Sequence, residues 1–519
     1  MRELVGGAQT PTVPPAESSE QRARLNELIL AGIGWTTGSR LLSLALQLAS
    51  SAVVARYLAA SDVGVIGFAT ILIGFLGRFT SLGMDLATIQ RKEVDEKVLG
   101  TAFTVQAVFG VIACAATLIV APLGRRLIGH EGATGVLMVW SATFLLNVLA
   151  FVPTCLFTRE LNYRRLSLAN ATRAFGRGVL LIGLILLGFG YWGIVFADVA
   201  ATAIFLVSLG GGHPWLIRPR FDRSVARSLV AFGAPIVGVN FVVFVLFNAD
   251  NFAIGTVLGA AVLGYYAVAF NWGSMICGLL YETVNGVLFP AFCKIQDNAV
   301  EMKRLYLKTV ERVGFVAVVV NTALLASAHD FLVVVLGGGG EKWLAAVTSL
   351  KILAVYGMLR AMTEPMANVM FTLSETKTLF NANMLGAVIE LGLMVPVRLW
   401  YGINGVAILV AVAYASQLAV LVPVTKRRLS LRLSELLKIV VPLAVASALS
   451  ACASYLVVSQ LVETSWLSLA LRISITVATA ILVHGILTSF RVMREASSLV
   501  GWATRGAREA AGSRGEAGS

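Results

Sequence analysis

Charged residues are scarce in this chain. Of its 519 residues, 13% are Asp, Glu, Lys or Arg and 57% are hydrophobic, whereas a soluble globular chain carries about 25% charged residues. This scarcity excludes an ordinary soluble domain and predicts a polytopic membrane protein. The net charge of +13 gathers in particular loops, so it indicates a membrane orientation rather than a nucleic-acid partner.

Catalytic and metal-binding motifs are also missing. The five cysteines show no CxxC spacing and the four histidines are scattered, which gives no support to a metal centre. There is neither a Walker A sequence nor a GxSxG motif. We therefore expect a protein without enzymatic chemistry and without a cofactor.

The chain contains many long apolar segments. A membrane-spanning helix needs about 20 mainly apolar residues, and about fourteen segments of the chain meet that requirement. The prediction is an all-α polytopic membrane protein. The segments are 29–54, 63–84, 99–121, 134–157, 174–190, 192–210, 229–255, 262–291, 309–336, 346–372, 379–397, 403–425, 437–459 and 467–490.

Positive charge is concentrated in every second loop. Lys and Arg cluster near residues 91–97, 159–165, 218–227, 294–308 and 426–438, and the alternate loops are short and carry few of them. The positive-inside rule therefore places the basic loops and both termini in the cytoplasm. We expect the first apolar segment to be a membrane helix rather than a cleaved signal peptide, because it is too long for one.

An internal repeat divides the chain at an offset of about 200 residues. Residues 58–69 (LAASDVGVIGFA) match 258–269 (LGAAVLGYYAVA), with Gly64 aligned to Gly264. Parallel repeats of even-numbered bundles are a known transporter architecture, and here they predict two six-helix lobes related by a pseudo-twofold, plus two C-terminal helices. The predicted divisions are a disordered tail 1–27, an N-lobe 28–212 (helices 1–6), a cytoplasmic linker 213–228, a C-lobe 229–425 (helices 7–12), helices 13 and 14 in 426–490, and a tail 491–519.

Polar side chains form stripes on the first two helices of each predicted lobe. Their spacings of three and four residues keep each stripe on one helical face. Such stripes either pair with one another as packing contacts or line a cavity in which amides bind sugar hydroxyls and arginines clamp phosphate. The candidate cavity residues are Arg40, Gln47, Arg78, Asn240, Asn251 and Asn271.

Further charged residues lie in or beside the apolar segments. A charge at the centre of a membrane helix costs about 2.5–3.5 kcal/mol on insertion scales, so these side chains should avoid lipid. The acidic ones are interpreted either as counter-ions to the arginines or as residues that couple transport to an ion, and one i, i+4 pair either stabilises its helix or forms a gate. The candidates are Asp85, Asp250, Glu282, Arg360 and Glu364.

Several segments resemble a known family. RPRFDRSVARSLVAFGAPI (218–236) followed by ADNFAIGTVLGAAVLGYYAVAFNW (249–272), VARYLAASDVGVIGFA (54–69) and NGVLFPAFCKIQ (285–296) resemble bacterial flippases of the polysaccharide transporter family. That family belongs to the multidrug/oligosaccharidyl-lipid/polysaccharide exporter superfamily, and within it the chain is similar to Wzx-like flippases. The resemblance covers roughly residues 28–490.

The resemblance implies a function. Such proteins move undecaprenyl-diphosphate-linked oligosaccharides from the cytoplasmic to the outer leaflet of the bacterial inner membrane by alternating access, for lipopolysaccharide, O-antigen or exopolysaccharide synthesis. Cationic cavity residues hold the diphosphate, a role that falls to Arg40 and Arg78 here. The implied partners are the lipid-linked oligosaccharide and membrane lipids, with a polysaccharide polymerase and a chain-length regulator as further candidates.

Three alternatives stay open at this point. A drug or cation antiporter of the same superfamily should have a more acidic cavity, against which Arg40 and Arg78 argue. A lipid II flippase would share the substrate chemistry. An integral-membrane polymerase belongs to another class, and the short loops opposite the basic ones argue against it.

Overall fold

The computed structural model describes residues 42–81, 84–91, 94–160, 162–210, 218–338, 340–458 and 464–488, with several positions in two long helices described by their backbone alone. These ranges are helical almost throughout, and nine of their helices are each long and apolar enough to cross a membrane. The predicted fold class, an all-α polytopic membrane protein with about fourteen helices, is confirmed. The helices are α1 (42–57), α2 (Ala60–Ser81), α3 (Met84–Gln90), α4 (Glu96–Ile128), α5 (Gly132–Trp140), α6 (Ala142–Arg159), α7 (Tyr163–Leu186), α8 (Trp192–Ser208), α9 (Arg223–Leu258), α10 (Ala260–Lys294), α11 (Ala299–Asp330), α12 (Val347–Thr372), α13 (Thr376–Arg428), α14 (Leu433–Val458) and α15 (Trp466–Leu487).

Local sequence sets where several of these helices begin and break. Gly402, at φ 56° and ψ −142°, interrupts α13 between the two apolar segments predicted there, since glycine adopts positive φ without steric strain. At the start of α9, the Asp222 side chain accepts hydrogen bonds from the Ser224 and Val225 backbone amides. This N-cap starts the helix at Arg223, inside the predicted linker 213–228.

One face of the protein, called the basic face below, gathers the loops rich in Lys and Arg. The Lys97 ammonium lies 2.7 Å from the Asp222 carboxylate, and the Thr104 hydroxyl donates to the Arg220 carbonyl at 3.0 Å, so the described end of the linker is held against α4. The hydrogen bonds from Lys97 and Ser224 hold the pKa of the Asp222 carboxyl well below its usual range. The Asp222 carboxylate therefore stays charged at any physiological pH.

At the other face, called the opposite face below, the two predicted lobes meet. The Trp343 indole is fully buried and donates to the Ala55 carbonyl at 2.9 Å, which joins the turn before α12 to the end of α1. Gly64 of α2 packs against the Ala260 carbonyl, and Gly264 of α10 packs against the Ala60 carbonyl. The contact is reciprocal, as a twofold relation between the repeats requires, and it falls on the two glycines aligned in the sequence repeat.

The last two helices pack against α11 through a buried charge pair. The Arg472 guanidinium of α15 donates to the Asp330 carboxylate at 2.8 Å, and the Ser468 hydroxyl donates to the same oxygen at 3.0 Å. Asp330 is 3% exposed, so a buried carboxylate is neutralised by an arginine from another helix. The pair fixes the C-terminal helices to the predicted C-lobe.

Candidate functional site

The helices that carry the predicted polar stripes face one another. The Asn271 amide of α10 donates to the Ser51 hydroxyl of α1 at 3.1 Å, and the Phe75 ring of α2 meets the Phe241 ring of α9 edge-on at 5.4 Å between centroids. Gln47, on α1, is exposed. The four helices therefore pack together between the predicted lobes through polar and aromatic side chains, and this contact region is called the lobe interface below.

Arg78 stands at one end of the lobe interface. It lies in the last turn of α2, is exposed, and places its guanidinium 5.3 Å from the centre of the Phe244 ring of α9. Because α2 ends at Ser81, Arg78 lies toward the basic face, and its role as a cavity residue stays a prediction. A cation is favourable there because the carbonyl end of the helix carries partial negative charge.

Asp85 lies beyond the end of α2. It is an exposed residue in the first turn of the separate short helix α3. A carboxylate is stabilised there by the partial positive charge of the helix N-terminus. Its coupling or counter-ion role stays a prediction.

Asp250 is buried within the predicted C-lobe. Its side chain is hydrogen bonded to the Tyr266 hydroxyl at 2.8 Å and to the Asn251 amide at 3.0 Å. Arg78 is not among these hydrogen-bond partners, and the counter-ion and coupling interpretations of Asp250 stay predictions. The candidates Arg40, Asn240 and Glu282 lie outside the residues or side chains that the structure describes.

Arg360 and Glu364 form the predicted i, i+4 pair, with 3.0 Å between Nε and Oε1. The pair borders a cavity of about 340 Å³ between α12 and the two segments of α13. Amide, carboxylate and phenol groups contribute to the wall of this cavity beside apolar side chains such as Phe371 and Leu421. The polar lining residues are Arg360, Thr363, Glu364, Asn383, Glu390, Tyr414 and Gln417.

Glu390 is a functional candidate that the sequence analysis missed. It lies in α13, at the wall of the cavity, and is close enough to interact electrostatically with Asp250 and Tyr266. The signal was present, because Glu390 is the only charged residue between Thr378 and Pro396. The same argument that singled out Asp250 applies to it.

Two tyrosines adjoin the Arg360–Glu364 pair. Tyr356 and Tyr414 meet edge-to-face, with 4.8 Å between ring centroids, and Tyr414 lines the same cavity as Arg360 and Glu364. Two carboxylates in a medium of low dielectric repel each other. A proton or other cation bound between Asp250 and Glu390 would relieve that repulsion.

Comparison with solved structures defines the class. The fold is that of the lipid II flippase MurJ in an inward closed conformation, with a TM-score of 0.69 and 16% identity over 89% of this chain and 98% of that one. It is also that of an inward-facing multidrug resistance MATE family transporter of the MOP superfamily, with a TM-score of 0.58 and 15% identity over 77% and 98%. The protein thus shares the all-α fold of these two membrane proteins.

The sequence comparisons define the family within that class. The chain belongs to the family described as polysaccharide biosynthesis protein, whose model matches residues 53–348. It is 23% identical to the lipopolysaccharide biosynthesis protein WzxC of Escherichia coli K12 over 69% of this chain and 73% of that one. It is 22% identical to the teichuronic acid biosynthesis protein TuaB of Bacillus subtilis 168, over 67% and 71%.

Proposed function

We propose that the protein flips undecaprenyl-diphosphate-linked oligosaccharides across the bacterial inner membrane for surface polysaccharide synthesis. The observation that carries the proposal is the exposed guanidinium of Arg78 at the end of the lobe interface, in a chain of the polysaccharide biosynthesis family. Relatives named for lipopolysaccharide and teichuronic acid biosynthesis support the substrate class.

The position of Arg78 suits capture of the substrate headgroup. A lipid diphosphate lies at the level of the headgroups, and Arg78 lies in the last helical turn at the basic face. Its planar fork can bind two phosphate oxygens at once. The lobes would then part at their interface to admit the sugar past Gln47, Ser51 and Asn271, while the lipid tail stays in the bilayer between parted helices.

The membrane potential favours the proposed direction. Moving one negative charge out of a cell that is negative inside releases about 2.3 kcal/mol per 100 mV. A diphosphate with about two negative charges would gain roughly twice that energy, unless a cation moves with it. Opening of the opposite face, where Trp343 and the Gly64–Gly264 contact hold the lobes together, would release the substrate outside.

Orientation is the first testable part of the proposal, which places the basic face and both termini in the cytoplasm. Phe221, in the linker, is 66% exposed, and Tyr401, at the opposite face, is 68% exposed. In a cysteine-free background, a membrane-impermeant maleimide added to intact cells should label Tyr401→Cys and leave Phe221→Cys unlabelled until the cells are permeabilised. Labelling of Phe221→Cys in intact cells would show that the basic face lies outside the cell, which contradicts the proposed orientation.

Ion coupling is the second testable part, and we propose that Asp250 and Glu390 carry it. In proteoliposomes a pH gradient should change the flipping rate of the wild type, and Asp250→Asn or Glu390→Gln should remove most of that dependence because each removes one carboxylate of the pair. Glu282→Gln tests a further acidic candidate. Glu375→Gln is the matched control, since Glu375 pairs with Arg428 at the basic face. A wild type indifferent to the gradient would exclude proton coupling.

Loss of the protein in cells tests the function itself. Cells that lack it should accumulate lipid-linked oligosaccharide in the cytoplasmic leaflet and lose the corresponding surface polysaccharide. The glycosyltransferases that build the oligosaccharide should stay active in extracts of the same cells. Normal surface polysaccharide in the deletion strain would contradict the proposal.

A further inference from the structure

An apolar groove of about 390 Å³ runs between α4 and α9 next to the basic face. Val105 and Ala226 are buried and close the groove on its inner side, because both belong to a hydrophobic core shared with α3 and α6. A ligand could therefore enter the groove from outside but could not pass through the protein along it. The apolar lining consists of Val105, Val108, Phe109, Phe221, Ala226 and Val230.

The groove opens onto an apolar surface of α4. Val108 is 50% exposed, and it is followed at helical spacing by the exposed side chains of Val111, Ile112 and Ile119. Helix α4 is long and apolar enough to cross a membrane, and an exposed apolar stripe on such a helix meets lipid chains. An acyl chain that lies along this stripe can therefore continue into the groove.

Two arginines stand at the end of the groove nearest the basic face. Arg223 and Arg227 line it, lie one turn apart at the start of α9, and are exposed. In the described part of the chain neither forms an ion pair. The neighbouring Asp222 carboxylate is engaged by the Lys97 ammonium at 2.7 Å. The two guanidinium groups are thus available to an anion from outside the protein.

The two ends of the groove fit the layers of a bilayer. Val230 is seven residues beyond Arg223, about 10 Å along the helix axis at 1.5 Å per residue, and the headgroup layer is roughly 5–8 Å thick on each side of the membrane. When the arginines lie among headgroups, Val230 lies among the first methylenes of the chains. The hydroxyl-bearing Ser224 and Ser228 border an open depression beside the same arginines, which suits a phosphate.

We propose that this groove binds an anionic phospholipid of the bilayer, with the phosphate on Arg223 and Arg227 and one acyl chain against Val108 and Val230. Basic pockets between membrane helices at the headgroup level recognise such lipids. The closed inner side favours a resident lipid over a transported one, because cargo must pass through the protein. The site is separate from the lobe interface and goes beyond the flippase function.

The position of α9 gives the bound lipid a structural effect. The first two turns of α9 pack in one hydrophobic core with α3, α4 and α6 of the predicted N-lobe, whereas the rest of α9 belongs to the predicted C-lobe. A lipid that contacts both α4 and α9 therefore stabilises the junction between the lobes. Phosphatidylglycerol should raise the melting temperature of the wild type, and the rise should be lost when both arginines are replaced.

Native mass spectrometry of the purified protein measures the site directly. The wild type should retain phosphatidylglycerol in preference to phosphatidylcholine, whose headgroup carries no net charge. Arg223→Gln should weaken phosphatidylglycerol binding by about fivefold, and Arg223→Gln, Arg227→Gln by about thirtyfold, as expected for one and two arginines near an anionic lipid. Equal retention of the two lipids by the wild type would overturn the proposal.

Arg427→Gln, Arg432→Gln is the matched control for the charges, since it removes two exposed arginines from the basic face outside the groove. It should leave phosphatidylglycerol binding unchanged. An equal loss in this control would show that the basic face attracts anionic lipids only through its total charge, and the groove would then be no specific site.

A second pair of variants tests the apolar part of the groove without changing charge. Val108→Trp should fill the groove and cause a loss of phosphatidylglycerol binding. Ile112→Trp, one turn further along the same exposed stripe and outside the groove, should bind as the wild type does. Both substitutions fall on exposed positions, so the fold should persist. Identical binding by the two variants would contradict a chain in the groove.

Competition identifies the kind of ligand. Phosphatidylglycerol should stay bound in the presence of an equal concentration of undecaprenyl phosphate or of glycerol phosphate. Displacement by undecaprenyl phosphate would assign the groove to the carrier lipid, and displacement by glycerol phosphate would reduce it to a site for a free anion. Either result would overturn the proposal. None of these measurements requires flipping, so their failure would leave the proposed function standing.

Discussion

Arg78→Ala should abolish flipping while the protein remains folded in the membrane. The change removes the guanidinium that is proposed to bind two phosphate oxygens. Loss of two charge-assisted hydrogen bonds corresponds to a flipping rate lower by about a hundredfold or more. Arg78→Lys keeps the charge without the bidentate geometry, so it should restore part of the activity. Flipping is measured in proteoliposomes, with protein amount and melting temperature checked in parallel.

Two controls separate the charge of Arg78 from its packing. Phe244→Leu removes the ring beneath the guanidinium but retains the cation, and should reduce flipping only modestly, since an exposed cation–π contact contributes about 0.5–1 kcal/mol. Arg125→Ala removes an arginine from the opposite face and should leave flipping unchanged. Wild-type activity in Arg78→Ala would exclude a phosphate clamp at this position.

Gly64→Ala and Gly264→Ala should each prevent the two lobes from closing at the opposite face. An added Cβ at Gly64 would overlap the Ala260 carbonyl, and one at Gly264 would overlap the Ala60 carbonyl. Backbone atoms cannot rotate away as a side chain can, so the helices must separate. Overpacking of this kind costs about 1–3 kcal/mol, occasionally more. Here the cost falls on the closed arrangement of the lobes, which should become less populated.

Disulfide formation between Gly67→Cys and Ala267→Cys reports that closure, since a Cβ added at Gly67 lies 3.9 Å from the Ala267 Cβ, within the disulfide range of about 3.5–4.5 Å. The cross-link should form when Gly64 and Gly264 are both present and fail when either is replaced by alanine. Gly183→Ala is the matched control because nothing lies within 4 Å of its added Cβ. In the double variant Gly64→Ala, Gly264→Ala, cross-linking should be only slightly lower than in either single variant, because both glycines lie at the same interface.

The fold could be predicted from the sequence because membrane helices depend on local composition. Each needs its own apolar run, and breaks such as Gly402 are marked by residues with special backbone freedom. The repeat containing Gly64 and Gly264 also predicted which helices correspond. Helix ends were less certain, since Asp222 starts α9 through an N-cap that hydropathy does not detect.

The candidate site was predicted less completely because it depends on contacts between distant helices. Asp250 was identified as a buried acid, but its partner Tyr266 follows from how α9 and α10 pack. Glu390 is a single acidic residue in an apolar segment, which is the pattern that identified Asp250, but the sequence analysis did not include it. Arg78 lies in the last turn of α2, which ends at Ser81. Hydropathy of the segment 63–84 did not show that end.

Reconstituted flipping tests the central claim most directly. Purified protein in proteoliposomes would be given labelled undecaprenyl-diphosphate-linked oligosaccharide, lipid II or a cationic drug, and transfer to the other leaflet would be followed with Arg78→Ala as the negative control. The account predicts transfer of the lipid-linked oligosaccharide by the wild type and none by Arg78→Ala. Transport of the drug or of lipid II, with the oligosaccharide left in its original leaflet, would contradict it.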